Sequence, residues 1–231
     1  MTATPNSHRV LIKTTPPLRP LPPNSSRAPI ATARLLIRPL VPEDVHALHV
    51  LRTQPEVMRN NPQGVPDADL EATRAKLLPF LPPFDERTFH FAICLKDKTN
   101  EMIGIGGCYN LSGVFGWPAI GYQLRREYWG KGLMTEFVKA WLGMWEALPR
   151  ESVEVLVDPD SVSEEERERG VARELVTSST IEENVASRRV LEKSGFACFK
   201  EWKEADLRDL EVEIGLRGFR YVVQQQAGMR R

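Results

Sequence analysis

Three cysteines in 231 residues, Cys94, Cys108 and Cys198, make an odd number and form no Cys-x-x-Cys pair. Their spacing supports neither a disulfide framework nor a structural zinc site, and it fits a reducing, intracellular compartment. No apolar stretch approaches the ~18 residues a membrane helix needs, and the N-terminus lacks the continuous apolar core of a secretory signal. The expectation is a soluble, cytoplasmic protein. Excess charge is missing as well: 31 Lys and Arg stand against 31 Asp and Glu. Neither nucleic acid nor a membrane surface is therefore indicated as a partner. His46 and His49 are spaced three apart on a helical pattern but find no third ligand in the sequence, so no metal is expected. No Walker spacing occurs, and Thr135 sits where a Gly-x-Gly-x-x-Gly motif would need its third glycine.

What the chain does contain is a hydrophobic fraction of 42%, enough for one sizeable core. No Asp or Glu precedes Glu43, while Arg9, Lys13, Arg19, Arg27 and Arg34 do. That has the look of a mitochondrial presequence, but Pro16, Pro17, Pro20, Pro22, Pro23 and Pro29 would break the amphipathic helix such a signal uses. Residues 1–30 read as a draped or flexible basic extension, with a weak edge strand over 8–14. The domain proper is set at 31–223, with an insertion at about 150–170, and 224–231 form a polar tail.

Within the domain, 35–40 reads as a strand, and a helix begins at Pro42-Glu43-Asp44 with Val45, Leu48 and Leu51 on one face. A second helix follows Asp67 and stops at prolines 79 and 82. The period then changes to two: strands are expected at 88–95 and 102–109, joined by a polar turn over 96–100, and at 119–124. Leu133, Met134, Phe137, Val138, Trp141, Leu142 and Trp145 fall on one face of the next helix, which Pro149 ends. A weaker strand at 152–157 precedes the charge run 164–169, read as a solvated surface. Strand 174–179, helix 186–193 closed by Gly195, and strands at 197–202 and 212–223 complete the chain. This order makes an α+β protein with a sheet of mixed direction.

Two segments carry chemistry. Gly130-Lys131-Gly132 links a strand to the strongest helix, where unpaired backbone N–H groups and the helix dipole suit a phosphate. A tight connection with no ligand explains an isolated Gly-x-Gly equally well. The second segment is Asn184-Val185-Ala186-Ser187-Arg188-Arg189-Val190-Leu191-Glu192-Lys193-Ser194-Gly195-Phe196, with Asn184 as a helix cap and Ser187 on the same side one turn later. By itself it is a well-capped helix with a glycine stop.

Taken together with Ala33-Arg34-Leu35-Leu36-Ile37-Arg38-Pro39-Leu40, Ile120-Gly121-Tyr122-Gln123-Leu124 and Tyr128-Trp129-Gly130-Lys131-Gly132, these segments resemble the GNAT superfamily of N-acetyltransferases. The branch they are most similar to is that of the RimJ/RimL-like ribosomal-protein N-terminal acetyltransferases. The resemblance spans roughly residues 31 to 223. It implies a mostly antiparallel twisted sheet, flanked by helices, with a central splay that holds acetyl-CoA or another short acyl-CoA. It further implies that pantetheine pairs with the strand ending at Leu124 and Arg125. The pyrophosphate would lie on backbone amides of Trp129, Gly130, Lys131, Gly132, Leu133 and Met134, with Thr135 near, and Asn184, Ser187 and Arg188 would complete the cofactor contacts.

The implied reaction is direct attack of a primary amine on the thioester, its carbonyl polarised by backbone N–H groups at Leu124 and Arg125. The tyrosine acid common in the superfamily is replaced by Leu191, and the glutamate often present before the Ile-Gly-Tyr triplet by Ala119. Ser187 and Tyr122 are the remaining catalytic candidates. The acceptor is expected to be a small molecule or a peptide or protein N-terminus. Oligomeric state stays open, a dimer included. The alternatives are an acyl-CoA-binding module without efficient turnover and, less well matched, a protein with another nucleotide on the same loop. Cys108, Tyr109 and His90 lie on strands that either face the acceptor or belong to the core, and Trp117-Pro118 is a loop beside it.

Overall fold

The structure, a computed structural model, describes residues 9–96, 101–206 and 208–224. Ten strands and six helices follow one another in the order β1 (Val10–Thr14), β2 (Ile30–Ala31), β3 (Leu35–Pro39), α1 (Val45–Arg52), α2 (Pro55–Met58), α3 (Leu70–Leu77), β4 (Phe89–Leu95), β5 (Met102–Asn110), β6 (Ala119–Leu124), α4 (Leu133–Glu146), β7 (Val153–Val157), α5 (Glu164–Arg169), β8 (Leu175–Ile181), α6 (Val185–Lys193), β9 (Ala197–Asp206) and β10 (Asp209–Val222). Eight strands make one sheet, ordered β2-β3-β4-β5-β6-β8-β10-β9. Every neighbouring pair is antiparallel except β6 and β8, which run parallel. The expected α+β class and mixed, mostly antiparallel sheet are what the chain forms.

The apolar run in β4 is buried throughout its first six residues because helices cover both faces of the sheet. On one face α4 lays Phe137, Val138, Trp141 and Trp145 against Phe89, Ile103 and Phe219, with Leu191 of α6 completing the main core. On the other, Leu48 and Leu51 of α1 and Leu77 of α3 cover Ala92, Cys94 and Ile105. Gly107 permits the close approach of α4. Its φ is +132°, and a Cβ there would stand 2.2 Å from the Phe89 carbonyl oxygen, the acceptor of the Trp141 indole N–H at 3.0 Å.

Residues 9–30 are tied into the fold: they lie draped on the domain rather than flexible, and the weak edge strand expected over 8–14 is β1. β1 pairs antiparallel with β7, from Val10 opposite Val157 to Thr14 opposite Val153. Ile12 joins Trp117 and Val157 in a third core, and Leu21 enters the main one. Arg27, 8% exposed, donates from Nη2 to the carbonyls of Asp85 and Thr88 and from Nη1 to Asn24 Oδ1, all within 2.7 to 2.8 Å. It also lies over the Phe89 ring at 5.0 Å. Long-range partners of this kind leave no periodic trace in a proline-rich sequence.

The insertion region contains β7 and α5. The charge run is helix α5, opened by a Ser163–Glu166 capping box and exposed along its length. Two short elements, β2 and α2, were not expected. The closing hairpin is longer than anticipated, with β9 reaching Asp206 and β10 starting at Asp209. The turn expected over 96–100 lies, beyond Lys96, outside the described residues, as do residues 1–8 and the tail beyond Gln224.

Candidate functional site: a splayed strand pair beside a glycine turn

β6 and β8 touch only at their N-terminal ends. Ala119 opposite Thr177 is their one register pair among the described residues; Thr177 N–H donates to the Pro118 carbonyl at 2.8 Å and Ser178 Oγ to the Ile120 carbonyl at 3.1 Å. Beyond Ile120 the strands separate. Tyr122 and Ser187 join the two sides across the gap: the phenol oxygen lies 2.9 Å from Ser187 Oγ and donates to the Ser187 carbonyl at 3.2 Å. Burial pushes the Tyr122 phenol well above its usual range, against the opposing pull of Ser187, so it is protonated throughout the neutral range.

Strand alternation decides which β6 amides face the gap. Arg125 N–H donates to the Ile103 carbonyl of β5 at 2.9 Å, and Leu124 stands opposite Gly104. Successive N–H groups point to opposite sides of a strand, so those of Leu124 and Tyr122 point away from β5, into the gap. This corrects the expectation for Arg125, whose N–H is already committed to the sheet. The Leu124 carbonyl accepts the Trp129 indole N–H at 2.7 Å.

The glycine turn follows directly. Gly130 and Gly132 have φ of +72° and +75°, and Gly132 is the N-cap of α4 in the left-handed conformation. A side chain at either would be strained, although a Cβ at Gly130 would meet nothing within 4 Å. The approach to the turn is thus open, and the N–H groups of Leu133, Met134 and Thr135 have no intrahelical acceptor. Leu133 and Met134 side chains are buried in the main core, leaving their amides at the surface end of the helix. Lys131 places its ammonium 5.3 Å from the Tyr128 ring centroid.

A brace that the sequence reading did not assign holds the turn. Arg34 donates from Nε to Glu136 Oε2 at 2.7 Å and from Nη1 to the Lys131 carbonyl at 2.8 Å, while Thr32 Oγ1 meets Glu136 Oε1 at 2.6 Å. A pocket of about 630 Å³ lies beside it, lined in part by Arg34, Lys96, Tyr128 and Lys131. On the strand side, Gln54 accepts from Arg126 N–H at 2.9 Å and donates to Glu127 Oε2 at 2.9 Å. Arg125 is ion-paired with Glu101 and Glu127 at 3.3 and 3.0 Å. The Arg34–Glu136 contact spans 102 residues, a separation that no local sequence pattern reports.

At α6, Asn184 caps the helix by accepting from Ser187 N–H at 3.1 Å. Arg188 Nη1 turns back to the Glu182 carbonyl at 3.1 Å, and its buried Nε has no partner. Leu191 is fully buried in the main core. Other candidates separate cleanly. Cys108 belongs to the main core, its thiol pushed up to about 12 by burial. His90 is buried and stacked on Phe80 at 4.3 Å; burial lowers its imidazole to about 3, so it is neutral. Tyr109 is exposed beside Gly121. Trp117 is a core residue whose indole N–H donates to Ser161 Oγ at 2.8 Å.

With this geometry in place, comparison with known proteins defines the class. Residues 34–197 match the acetyltransferase (GNAT) domain, and the chain belongs to that family. Solved structures share the fold: a GNAT-family acetyltransferase from Bacillus anthracis is 20% identical, with a TM-score of 0.60 over 84% of this chain and 98% of its own. RimL, a ribosomal L7/L12 α-N-protein acetyltransferase in complex with coenzyme A, is 18% identical (TM-score 0.58; 85% and 98% covered). The ribosomal-protein-S5-alanine acetyltransferase from Vibrio fischeri is 17% identical (TM-score 0.59; 85% and 97%). No curated protein sequence matches. No described helix is long and apolar enough to cross a membrane, and no cluster of three His, Cys, Asp or Glu among the described residues is placed to hold a metal.

Proposed function

We propose that the protein transfers the acetyl group of acetyl-CoA to a primary amine in a ternary complex. The observation that carries this reading is the continuity of the β6/β8 gap with the left-handed Gly130-Lys131-Gly132 turn. β6 thus runs from amide donors suited to a thioester toward a turn whose amide donors suit a pyrophosphate. Pyrophosphate would rest on N–H groups from Gly130 to Thr135, the expected Trp129 N–H being taken by the Arg126 carbonyl at 3.0 Å, and the buried, unpartnered Arg188 Nε and the Asn184–Ser187 helix start would flank the pantetheine. The Leu124 N–H would polarise the thioester carbonyl.

In the reaction the amine nitrogen attacks the carbonyl carbon, the C–S bond breaks, and CoA leaves as thiolate while the nitrogen loses its extra proton to solvent. Tyr122 would donate a hydrogen bond to the departing sulfur, with Ser187 holding the phenol in place. Among the described residues we assign no carboxylate or free imidazole as a base: Ala119 stands at the strand position where the resemblance puts a glutamate, and His90 is buried in the core. An amine of pKa near 10.4 is unprotonated to only about 1 part in 1,000 at pH 7.4, a handicap of roughly 4 kcal/mol, whereas an α-amine near 8 loses under ~1 kcal/mol. The acceptor is therefore an α-amine, of a peptide or protein N-terminus or a small molecule, in preference to lysine.

Thermal shift with CoA, acetyl-CoA, NAD and ATP, followed by release of CoA thiol against a panel of peptides and amines, tests this. Faster turnover of lysine or polyamines than of N-termini would overturn the acceptor assignment. A second reading, an acyl-CoA-binding module, draws on the loss of acid and base at Leu191 and Ala119; it predicts a thermal shift with acetyl-CoA and no thiol release.

A further inference from the structure

Packing does not account for Trp129. Its side chain is 41% exposed and joins none of the three hydrophobic cores. Its backbone N–H is committed to the Arg126 carbonyl at 3.0 Å, so that amide is not available to a ligand on the glycine turn. Its one remaining polar group, the indole N–H, donates to the Leu124 carbonyl at 2.7 Å. A large ring left partly in water, with its single donor spent on the end of β6, directs attention to what that carbonyl faces.

Arg125 N–H donates into the sheet, to the Ile103 carbonyl at 2.9 Å. The Leu124–Arg125 peptide is trans, and across a trans peptide the C=O points opposite to the N–H. The Leu124 carbonyl therefore faces away from β5, on the gap side, where the Leu124 N–H also points. In a continuous sheet an amide of β8 would take that carbonyl. Here β8 pairs with β6 only at Ala119 opposite Thr177, and the indole N–H occupies the place of the missing strand. One peptide is thus held from both sides, by Ile103 and by Trp129, while the neighbouring Leu124 N–H is left for a ligand. An open donor beside a satisfied carbonyl is what negative charge gathering on a thioester oxygen needs. An unsatisfied carbonyl in the same place would repel that oxygen, and more strongly in a site sheltered from water.

We propose that Trp129 is a positioning residue for the thioester: its indole N–H replaces a β8 partner at the Leu124 carbonyl, so that the acyl oxygen meets the Leu124 N–H without an opposing dipole. This rests on the acyltransfer reading above and assigns a side chain to the step in which the thioester carbonyl is polarised. Trp129 acts through the Leu124–Arg125 peptide, not by contact with the amine or the leaving sulfur.

Two replacements test this. Trp129→Phe removes the N–H and keeps an aromatic ring, and the benzothiophene isostere of tryptophan, with sulfur in place of N–H, keeps the whole shape. Both are expected to lower kcat roughly tenfold, less than the ~10²–10³ that loss of an oxyanion donor itself costs. Free CoA has no acyl carbonyl, so it separates a role at the thioester from a role in the turn. By titration calorimetry CoA affinity should be unchanged, while acetyl-CoA weakens about threefold relative to it. The infrared carbonyl band of bound, isotope-labelled acetyl-CoA, shifted down in wild type, should move back toward its free position in both variants. If Trp129 only props the turn, CoA and acetyl-CoA weaken together while kcat and the band hold, which overturns the proposal. Wild type that binds acetyl-CoA with a shifted band but acetylates no amine sinks the transfer reading and leaves the Trp129 role standing. Wild type that turns over, beside variants with unchanged kcat and band, sinks the Trp129 role alone. No binding of acetyl-CoA sinks both.

Discussion

Replacing Tyr122 by phenylalanine removes one oxygen and leaves the ring in place. The size of the expected loss follows from the phenol's environment. Burial holds Tyr122 protonated far into alkali, whereas a thiol such as that of the leaving CoA has a pKa near 8.5. Full proton transfer from phenol to thiolate is uphill by at least ~2 kcal/mol even from an unperturbed tyrosine near 10. Tyr122 would therefore act as a hydrogen-bond donor to developing negative charge, a contribution of about 1.5–3 kcal/mol or roughly 10- to 150-fold in kcat. Ser187→Ala should cost less, because Ser187 Oγ only positions the phenol, whose single proton remains able to turn from the Ser187 carbonyl to the sulfur. The assay is CoA release under saturating substrates from pH 6 to 9. Tyr122→Phe should lower kcat within that range at every pH, without moving either limb of the profile. A loss below threefold, or a shifted basic limb, would refute the donor role; a loss far above 10³ would mean true acid catalysis.

Gly130→Ala places a side chain at φ +72° in open space, so the cost is backbone strain of about 1 kcal/mol. Expected is a fall in Tm of about 2–4 °C with weaker acetyl-CoA binding by titration calorimetry. Arg34→Ala removes the brace on the turn and should raise KM for acetyl-CoA roughly three- to tenfold, leaving kcat nearly constant. Asp67 is buried, which alone would raise its carboxyl, but bonds from Arg52, Thr73 and Gln63 prevail and hold it at about 2. Its folded value is depressed, so its contribution is complete above the unfolded value near 3.9 and is lost as pH falls toward 2, about 2–3 kcal/mol in all. Urea unfolding at pH 6 and pH 2.5 measures this; Asp67→Asn should flatten the acid dependence while lowering stability at pH 6 by about 3–5 kcal/mol, since Arg52 is left without its partner.

The main core helix and the capped α6 were legible because each depends on local pattern: seven apolar residues at helical spacing in α4, and Asn184 three residues before the amide it caps. The glycine turn was legible for the same reason. Arg125 shows where such reading stops. Whether its N–H faces β5 or the gap depends on strand register, a one-residue parity that no composition reports. Leu21 and Arg27 were missed because their partners lie far along the chain. A segment rich in proline signals the absence of helix, not the absence of packing. α2 and β2, at four and two residues, are too short to show a period.

The pairing of β1 with β7 has a consequence in time. The two strands are about 140 residues apart, so at 5–20 residues per second the ribosome delivers the second roughly ten to thirty seconds after the first. For that interval Val10 to Thr14 must wait beside a growing chain, its apolar Val10, Leu11 and Ile12 side chains exposed, and Pro16 and Pro17 just beyond it are well suited to keep the segment from extending into a helix meanwhile. The seam that the strand finally closes thus waits until α4 has been made, with only β8, α6 and the β9–β10 hairpin still to come among the larger elements.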